Sequence, residues 1–273
     1  MKSAALITGA TGGIGLEFAK LFAKRKTPLI LVARNADRLR RISKYFQEEL
    51  HVPVLTISQD LSAFGAAETV YEAVRSAGWE VEYLVNNAGF GDWTRFSESD
   101  WKKQSDMISL NVLTLTGLCR FFAQDMCARN SGRILNVASV AAFMPGPYMS
   151  VYYATKAYVR SFSIALAEEL QSSGVSVTVL CPAPTATNFE KTANLTDGSP
   201  LFQRLKPVSP RRCAVYGYHA MMCGQTVACH TLAANLIRLG CKLVPAKFAA
   251  KQAAKSNGIP KAPPQRTLRR RSH

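Results

Sequence analysis

Short apolar runs alternate with longer amphipathic segments along the first two thirds of the chain. The runs are rich in β-branched residues, lack polar alternation, and lie at 4–8, 29–32, 54–57, 83–86, 133–138 and 175–180. Segments with helical periodicity lie between them, at 16–26, 37–49, 66–77, 101–130 and 152–172. Apolar strands are typical of a sheet that is covered on both faces, and strand–helix alternation predicts a parallel sheet. The pattern therefore predicts an α/β fold with a Rossmann-like, doubly wound parallel sheet in three α/β/α layers.

The character of the sequence changes after residue 182. Residues 183–210 are rich in Thr, Asn, Gly and Pro, which predicts a long loop with a mobile lid at about 189–208. Helical patterns resume at 210–223, 231–239 and 246–256. We expect one catalytic domain over residues 1–245. A basic C-terminal helical extension, 246–273, follows it, and we expect poor order from about residue 257.

Positive charge is concentrated near the C-terminus. The chain has 34 Lys and Arg against 18 Asp and Glu, a net charge of +16. Residues 1–189 hold 19 basic and 16 acidic side chains, whereas residues 190–273 hold 15 and 2. The body is therefore nearly balanced, and we expect no nucleic-acid binding by it. With 48% hydrophobic residues, the chain is not globally disordered.

Cysteine spacing and the N-terminus bear on redox state and location. The seven cysteines include no C-x-x-C pair, which structural zinc sites usually use, so we predict no metal site. Met1 and Lys2 precede an apolar run that is too short for a signal peptide. We therefore expect free thiols and a cytoplasmic protein. We see no stretch of about 20 apolar residues and expect no membrane-spanning helix.

A glycine-rich turn follows the first predicted strand and opens a helix. Its sequence is Gly9-Ala10-Thr11-Gly12-Gly13-Ile14-Gly15. Glycines allow a tight turn and close approach to a pyrophosphate, and the helix N-terminus supplies N–H groups for that anion. No Gly-Lys-Ser/Thr follows, which excludes a P-loop. The turn predicts dinucleotide binding, although glycines can also simply punctuate a loop.

Arg34 follows the second predicted strand, where a carboxylate would bind the ribose hydroxyls of NAD. A guanidinium suits the 2′-phosphate of NADP (NADPH/NADP+) instead. The alternative is a solvated arginine at the start of the next helix, beside Arg38, Arg40 and Arg41.

Ser139, Tyr152 and Lys156 form a candidate catalytic set. Ser139 follows the fifth predicted strand, and Tyr152 and Lys156 share one face of a helix. A nearby ammonium and a cationic nicotinamide would lower the tyrosine pKa from its usual value of about 10. Tyr152 could then exchange a proton with a carbonyl oxygen held by Ser139. Taken alone, Tyr-x-x-x-Lys is a weak signal, and Tyr153 competes for the role.

Over about residues 3–190, these motifs resemble the short-chain dehydrogenase/reductase family, in its subtype of about 250 residues. The glycine turn matches T-G-x-x-x-G-x-G and residues 86–89 match N-N-A-G. The resemblance implies cofactor contacts by Gly9, Thr11, Gly13, Ile14, Gly15, Arg34, Asp60, Leu61, Asn87, Tyr152, Lys156, Thr185 and Thr187. It places Asp60 and Leu61 on the adenine side and Thr187 at the nicotinamide carboxamide.

The resemblance also implies catalytic roles for Asn111, Ser139, Tyr152 and Lys156. Asn111 corresponds to an asparagine that holds a water in a proton relay with the lysine. Ala183 departs from the family pattern, which has glycine after Pro182. The family assembles as a dimer or tetramer, so we expect a homo-oligomer.

Two classes of function follow. The first is an NAD(P)(H)-dependent oxidoreductase, a carbonyl reductase/alcohol dehydrogenase acting on an apolar ketone or alcohol; a 3-ketoacyl or steroid-like substrate is one option. The alternative is an NADPH-binding regulatory protein whose basic end binds nucleic acid or a membrane. A further hypothesis is peripheral membrane contact by residues 232–256, where Lys247, Lys251 and Lys255 recur beside Phe248. Its alternative is a solvated helix face.

Overall fold

A seven-stranded parallel sheet forms the centre of the protein. The computed structural model describes residues 2–195, 207–241 and 243–260. The strands are β1 Lys2–Thr8, β2 Leu29–Ala33, β3 Val54–Ser58, β4 Trp79–Asn86, β5 Gly132–Val137, β6 Val175–Leu180 and β7 Val227–Ala228. Their order is β3-β2-β1-β4-β5-β6-β7, and every pairing is parallel. The predicted Rossmann-like fold class is confirmed.

Helices cover both faces of this sheet. They are α1 Gly13–Lys24, α2 Ala36–Glu48, α3 Ala66–Ser76, α4 Trp101–Ile108, α5 Leu115–Arg129, α6 Ser150–Leu170, α7 Phe189–Thr192, α8 Pro210–Met222, α9 Leu232–Gly240 and α10 Ala246–Asn257. Alternate residues of β1 point to opposite faces. Leu6 packs in the core shared with α3, α5 and α6, and Ile7 packs with α1, α2 and α8. Strands buried on both sides explain the unbroken apolar runs of the sequence.

Helices α4 and α5 are joined by a π-helical turn, Ser109–Thr114, so Trp101–Arg129 is one continuous helix. By length and composition alone this helix could cross a membrane, with a mean hydropathy of 1.2. The sequence expectation that no such segment exists is therefore too strong. Of its most apolar window, 44% is buried inside the protein, and core helices of soluble proteins pass the same test.

The short strand β7 is absent from the sequence prediction. It extends the sheet beyond β6, where Leu180 pairs with Ala228. All seven cysteines are free, as expected.

The C-terminal extension is anchored to the catalytic body. The Tyr153 hydroxyl donates to Asn257 Oδ1 at 3.1 Å, and Asn257 Nδ2 donates to the Pro147 carbonyl at 2.9 Å. Asn257 is only 1% exposed. Asn257 is therefore held in place by the body, and the expectation of poor order after it stays a prediction. Residues 261–273, and residues 196–206 of the predicted lid, lie outside the described residues.

Candidate active site

A cleft of about 460 Å³ opens at the carboxyl ends of the strands. It lies beside the point where the strand order reverses, between β1 and β4, which is where doubly wound sheets bind ligands. Most of the predicted site residues line it: Gly9, Thr11, Gly13, Ile14, Arg34, Asp60, Leu61, Asn87, Ser139, Tyr152, Lys156, Thr185 and Thr187. Gly15 and Asn111 lie behind its wall.

The glycine turn is shaped by close backbone contacts. Gly9 and Gly13 have φ of +66° and +53°, in the left-handed region that favours glycine. A Cβ on Gly15 would lie 2.5 Å from both the Gly9 carbonyl oxygen and Asn87 Nδ2. Gly15 therefore permits the turn and does not face the cleft. Gly12 caps α1 without a side chain, so the first N–H groups of the helix are left for a ligand.

Hydrogen bonds fasten the end of β4 to the end of β1. The Thr8 hydroxyl accepts from the N–H groups of Asn87 and Ala88, at 3.0 and 2.9 Å. Asn87 Nδ2 donates to the Thr8 carbonyl at 2.9 Å. Asn87 thus supports the glycine turn from below while also lining the cleft.

Two arginines stand at the other end of the cleft. Arg34 lines it as predicted, and so does Arg38, which the sequence analysis treated only as a surface neighbour. Asn35 caps α2 by accepting from the Arg38 N–H at 2.8 Å. The Arg38 guanidinium lies 3.5 Å from where a Gly12 Cβ would be. The available signal in the sequence was its position in the first turn of the helix that begins just after Arg34.

Asp60 and Leu61 form the adjoining wall. Asp60 Oδ1 accepts from the Ser62 N–H and hydroxyl, at 3.0 and 2.7 Å. The Ser62 backbone hydrogen bond is the main cause that lowers the pKa of Asp60, and Arg34 adds to it. Burial acts in the opposite direction. The Leu61 carbonyl accepts from the Thr114 hydroxyl at 2.7 Å, which ties this wall to the π-helical turn.

Ser139, Tyr152 and Lys156 meet on the β5 and α6 side of the cleft. Lys156 Nζ lies 5.9 Å from the Tyr152 ring centroid and donates to the Val137 carbonyl at 2.8 Å. The Ser139 hydroxyl accepts from the Ala141 N–H at 3.1 Å and begins a short 3-10 turn. Both Tyr152 and Lys156 are buried. The predicted set is thus assembled by the fold.

Burial shifts the ionisation of this set. Burial raises the pKa of Tyr152, and hydrogen bonding with Ser139 only partly opposes it. Burial also lowers the pKa of Lys156 to about 8. The reason is that burial disfavours both charged forms, the phenolate and the ammonium. The expected lowering of the Tyr152 pKa by Lys156 and a bound cationic nicotinamide stays a prediction for the complex with the cofactor.

Asn111 lies in the π-helical turn, a feature often found at functional sites. Its Nδ2 donates to the Phe90 carbonyl at 3.0 Å and to the Thr155 hydroxyl at 3.1 Å. Its Oδ1 accepts from the Phe90 N–H at 3.2 Å. A Cβ on Gly89 would lie 3.0 Å from Asn111 Oδ1 and 3.2 Å from Lys156 Nζ. Asn111 therefore positions the strand end next to Lys156.

The segment after β6 closes over the glycine turn. The Thr185 hydroxyl donates to the Ala183 carbonyl at 2.8 Å, and Thr185 bridges to Val208. A Cβ on Gly13 would lie 3.0 Å from Thr187 Cγ2. Both predicted threonines thus sit at the cleft although alanine replaces the family glycine.

The wall near Tyr152 is apolar. The Phe189 ring lies 5.2 Å from the Tyr152 ring. A Cβ on Gly91 would lie 2.8 Å from Phe189 and 3.2 Å from both Met149 and Tyr152, so this glycine lets them meet. Trp93, Tyr153 and Leu195 belong to the same cluster.

Comparison with known proteins shows the family to which the chain belongs. A family model described as short chain dehydrogenase matches residues 3–198. The chain belongs to the short-chain dehydrogenase family. It is 33% identical over 196 residues to a very-long-chain 3-oxoacyl-CoA reductase of Rattus norvegicus, covering 68% of this chain. It is 34% identical over 204 residues to a very-long-chain 3-oxoacyl-CoA reductase-like protein of Arabidopsis thaliana, covering 72% of this chain.

The match spans 61% of the length of the rat reductase and 64% of the Arabidopsis protein. Among solved structures, a short-chain dehydrogenase from Sphingobium yanoikuyae in complex with NADPH superposes with a TM-score of 0.78 at 28% identity. That match covers 92% of this chain and 100% of the other. L-Sorbose reductase from Gluconobacter frateurii, complexed with NADPH and L-sorbose, gives 0.73 at 29% identity, over 84% of this chain and 93% of the other.

Proposed function

We propose that this short-chain dehydrogenase is an NADP(H)-dependent carbonyl reductase/alcohol dehydrogenase in which Tyr152 exchanges a proton with the substrate oxygen. The observation that carries the proposal is the convergence of Ser139, Tyr152 and Lys156 in the cleft that begins at the glycine turn. A binding protein that only senses the dinucleotide would not need these three groups beside one another.

The residues present fit NADPH. Gly9 and Gly13 hold the turn in conformations that a side chain would strain, and the helix behind it has N–H groups for a pyrophosphate. Arg34 and Arg38 offer two guanidiniums for a 2′-phosphate. Bound there, NADPH would supply a hydride to the carbonyl carbon. Two of the similar solved structures hold NADPH, which supports the same cofactor here.

The protonation states favour carbonyl reduction. A tyrosine whose pKa is raised keeps its proton near neutral pH and can donate it to the carbonyl oxygen. The Ser139 hydroxyl can hold the same oxygen. Asn111 and Lys156 stand side by side behind Gly89, where they can hold the groups that return a proton to Tyr152.

The substrate side favours an apolar ketone. Aromatic and thioether side chains, including Phe189, Trp93 and Met149, surround Tyr152. Burying alkyl chains or rings against such a wall stabilises the complex, and the wall offers few hydrogen-bond partners for sugar hydroxyls. The similarity to very-long-chain 3-oxoacyl-CoA reductases points the same way. We therefore propose a long-chain 3-ketoacyl thioester as the leading substrate class and steroid-like ketones as the second.

We also propose a homo-oligomer formed through the α4–α6 side. Trp101 and Leu113 are exposed there, as is Tyr158. A cytoplasmic location stays a prediction.

The proposed activity is tested by following NADPH oxidation with a long-chain 3-ketoacyl thioester, a steroid ketone, a bulky aryl ketone and a keto sugar. We expect turnover with at least one apolar ketone, weaker turnover with the sugar, and a preference for NADPH over NADH. NADPH binding without turnover on any carbonyl would contradict the proposal and favour a regulatory protein.

A further inference from the structure

Helix α9 exposes a row of leucines. Leu232, Leu236 and Leu239 recur at spacings of four and three, which places them on one face. They are 78%, 61% and 58% exposed, and Leu243, just after the helix, is 87% exposed. Soluble proteins rarely leave such a contiguous apolar face bare, so this face indicates a contact surface.

Helix α10 follows directly and adds positive charge. Its buried face is formed by Ala249, Ala253 and Asn257. The opposite face exposes Lys247, Lys251 and Lys255. Phe248 is 52% exposed beside these lysines. Helices α9 and α10, which are consecutive in the chain, therefore expose leucines, an aromatic ring and ammonium groups. We call this set the C-terminal surface.

The part of the sequence that contains the C-terminal surface is strongly basic, which limits what can cover this surface. Residues 198–273 contain 14 Lys and Arg and no Asp or Glu. A symmetric contact between two copies would bring this cationic surface against itself, which like-charge repulsion opposes. Nucleic acid would satisfy the lysines but would offer little for the leucines. An anionic bilayer offers negative headgroups to the lysines and acyl chains to the leucines and Phe248.

We propose that the C-terminal surface docks on an anionic lipid bilayer. Leu232, Leu236, Leu239 and Leu243 enter the boundary between headgroups and acyl chains, while the lysines of α10 contact the headgroups. Asn257 fixes the end of α10 to Tyr153 and to the Pro147 carbonyl, so the docked surface keeps a set orientation to the cleft. Docking is measured as binding and does not depend on the proposed activity.

The test is co-sedimentation of the full chain with vesicles of phosphatidylcholine, with and without phosphatidylglycerol. We expect binding only to the anionic vesicles. The combined Leu232→Ser, Leu236→Ser and Leu239→Ser variant should lose about 100-fold in binding, since three buried apolar groups are removed. The combined Lys247→Gln, Lys251→Gln and Lys255→Gln variant should weaken vesicle binding by a similar factor, about fivefold per lysine. This loss should be smaller at high salt, which screens the charges.

Matched controls lie on other faces. Phe64 is fully exposed outside the C-terminal surface, so Phe64→Ser should bind like wild type. The combined Lys24→Gln, Arg41→Gln and Lys44→Gln variant removes the same charge from exposed positions elsewhere and should retain most binding. Leu243→Ser lies outside α9, cannot unfold that helix, and should still weaken binding several-fold.

Three results would overturn the proposal. The first is a leucine variant that binds vesicles like wild type. The second is loss of vesicle binding in a combined Arg269→Ser, Arg270→Ser and Arg271→Ser variant while the leucine variant still binds. The third is wild-type binding to duplex DNA but not to anionic vesicles.

Discussion

The cleft and the C-terminal surface use polar and charged residues in opposite ways. In the cleft, buried groups have specific partners: Lys156 donates to the Val137 carbonyl, and Asn111 bonds to Phe90 and Thr155. On the C-terminal surface, both the lysines and the leucines are exposed. The net charge of +16 thus combines two different arrangements of basic side chains. In the first, two arginines are placed for one ligand, and in the second, repeated charges suit an extended surface.

The two regions also differ in tolerance of added volume. A Cβ on Gly15 would meet the Gly9 backbone and the Asn87 side chain, whereas Gly240, the last residue of α9, has no described atom within 4 Å of a built Cβ. We expect Gly15→Ala to lower the free energy of unfolding by about 3 kcal/mol and to weaken NADPH binding, because the turn must open. Gly240→Ala should change the free energy of unfolding by about 0.5 kcal/mol or less. Equal denaturant midpoints for the two variants would contradict this contrast.

The arginines of the cleft should discriminate between NADPH and NADH, whereas the lysines of the C-terminal surface should not select one ligand. Arg34→Ser with Arg38→Ser should weaken NADPH binding about 10- to 100-fold, because two charge-assisted contacts to the 2′-phosphate are lost. NADH binding should change little. Arg41→Ser, which removes an exposed arginine of α2, is the control. Equal losses for both cofactors in a fluorescence titration would argue against the 2′-phosphate assignment.

The buried ionisable groups of the cleft predict a pH dependence. Because burial raises the pKa of Tyr152, the phenol stays protonated through neutral pH and reduction should not depend on its titration there. Alcohol oxidation needs the phenolate, so its rate should rise about tenfold per pH unit on the alkaline side of neutrality. Initial rates in both directions measure this. An oxidation rate that levels off near pH 7 would show that the Tyr152 pKa is lowered in the working enzyme.

Asn257 links the two regions. Asn257→Ala removes one partner each from the Tyr153 hydroxyl and the Pro147 carbonyl, and should raise the substrate KM about fivefold through a shift of about 1 kcal/mol. NADPH affinity should be unchanged. Gln252→Ala, exposed on the same helix, should leave KM as it is. An unchanged KM for Asn257→Ala would mean that the extension does not shape the substrate wall.

Sequence patterns predicted the cleft well because of its topology. The carboxyl ends of parallel strands meet at one edge, so residues that follow β1, β2, β4 and β5 must gather there. Arg34 and Ser139 were found in this way, whereas Asn87 was found through the family resemblance. Arg38 was missed because its place in the cleft depends on how a long side chain lies toward Gly12.

What the sequence did not show depends on contacts distant in the chain. Asn257 meets a tyrosine 104 positions away, and no local pattern marks that pair. The two-residue strand β7 is too short to have a periodic signal. The rise in the Tyr152 pKa depends on burial by Phe189 and its neighbours, which only packing determines.

Comparing Tyr152→Phe with Tyr153→Phe tests the proton-donor role of Tyr152 most directly. Both substitutions remove one hydroxyl from neighbouring cleft residues of the same helix. With an accepted ketone, Tyr152→Phe should lower kcat by about 100- to 10,000-fold while NADPH still binds, and Tyr153→Phe should stay within about tenfold of wild type. Near-wild-type turnover by Tyr152→Phe, or a greater loss in Tyr153→Phe, would contradict the assignment of Tyr152 as the proton donor.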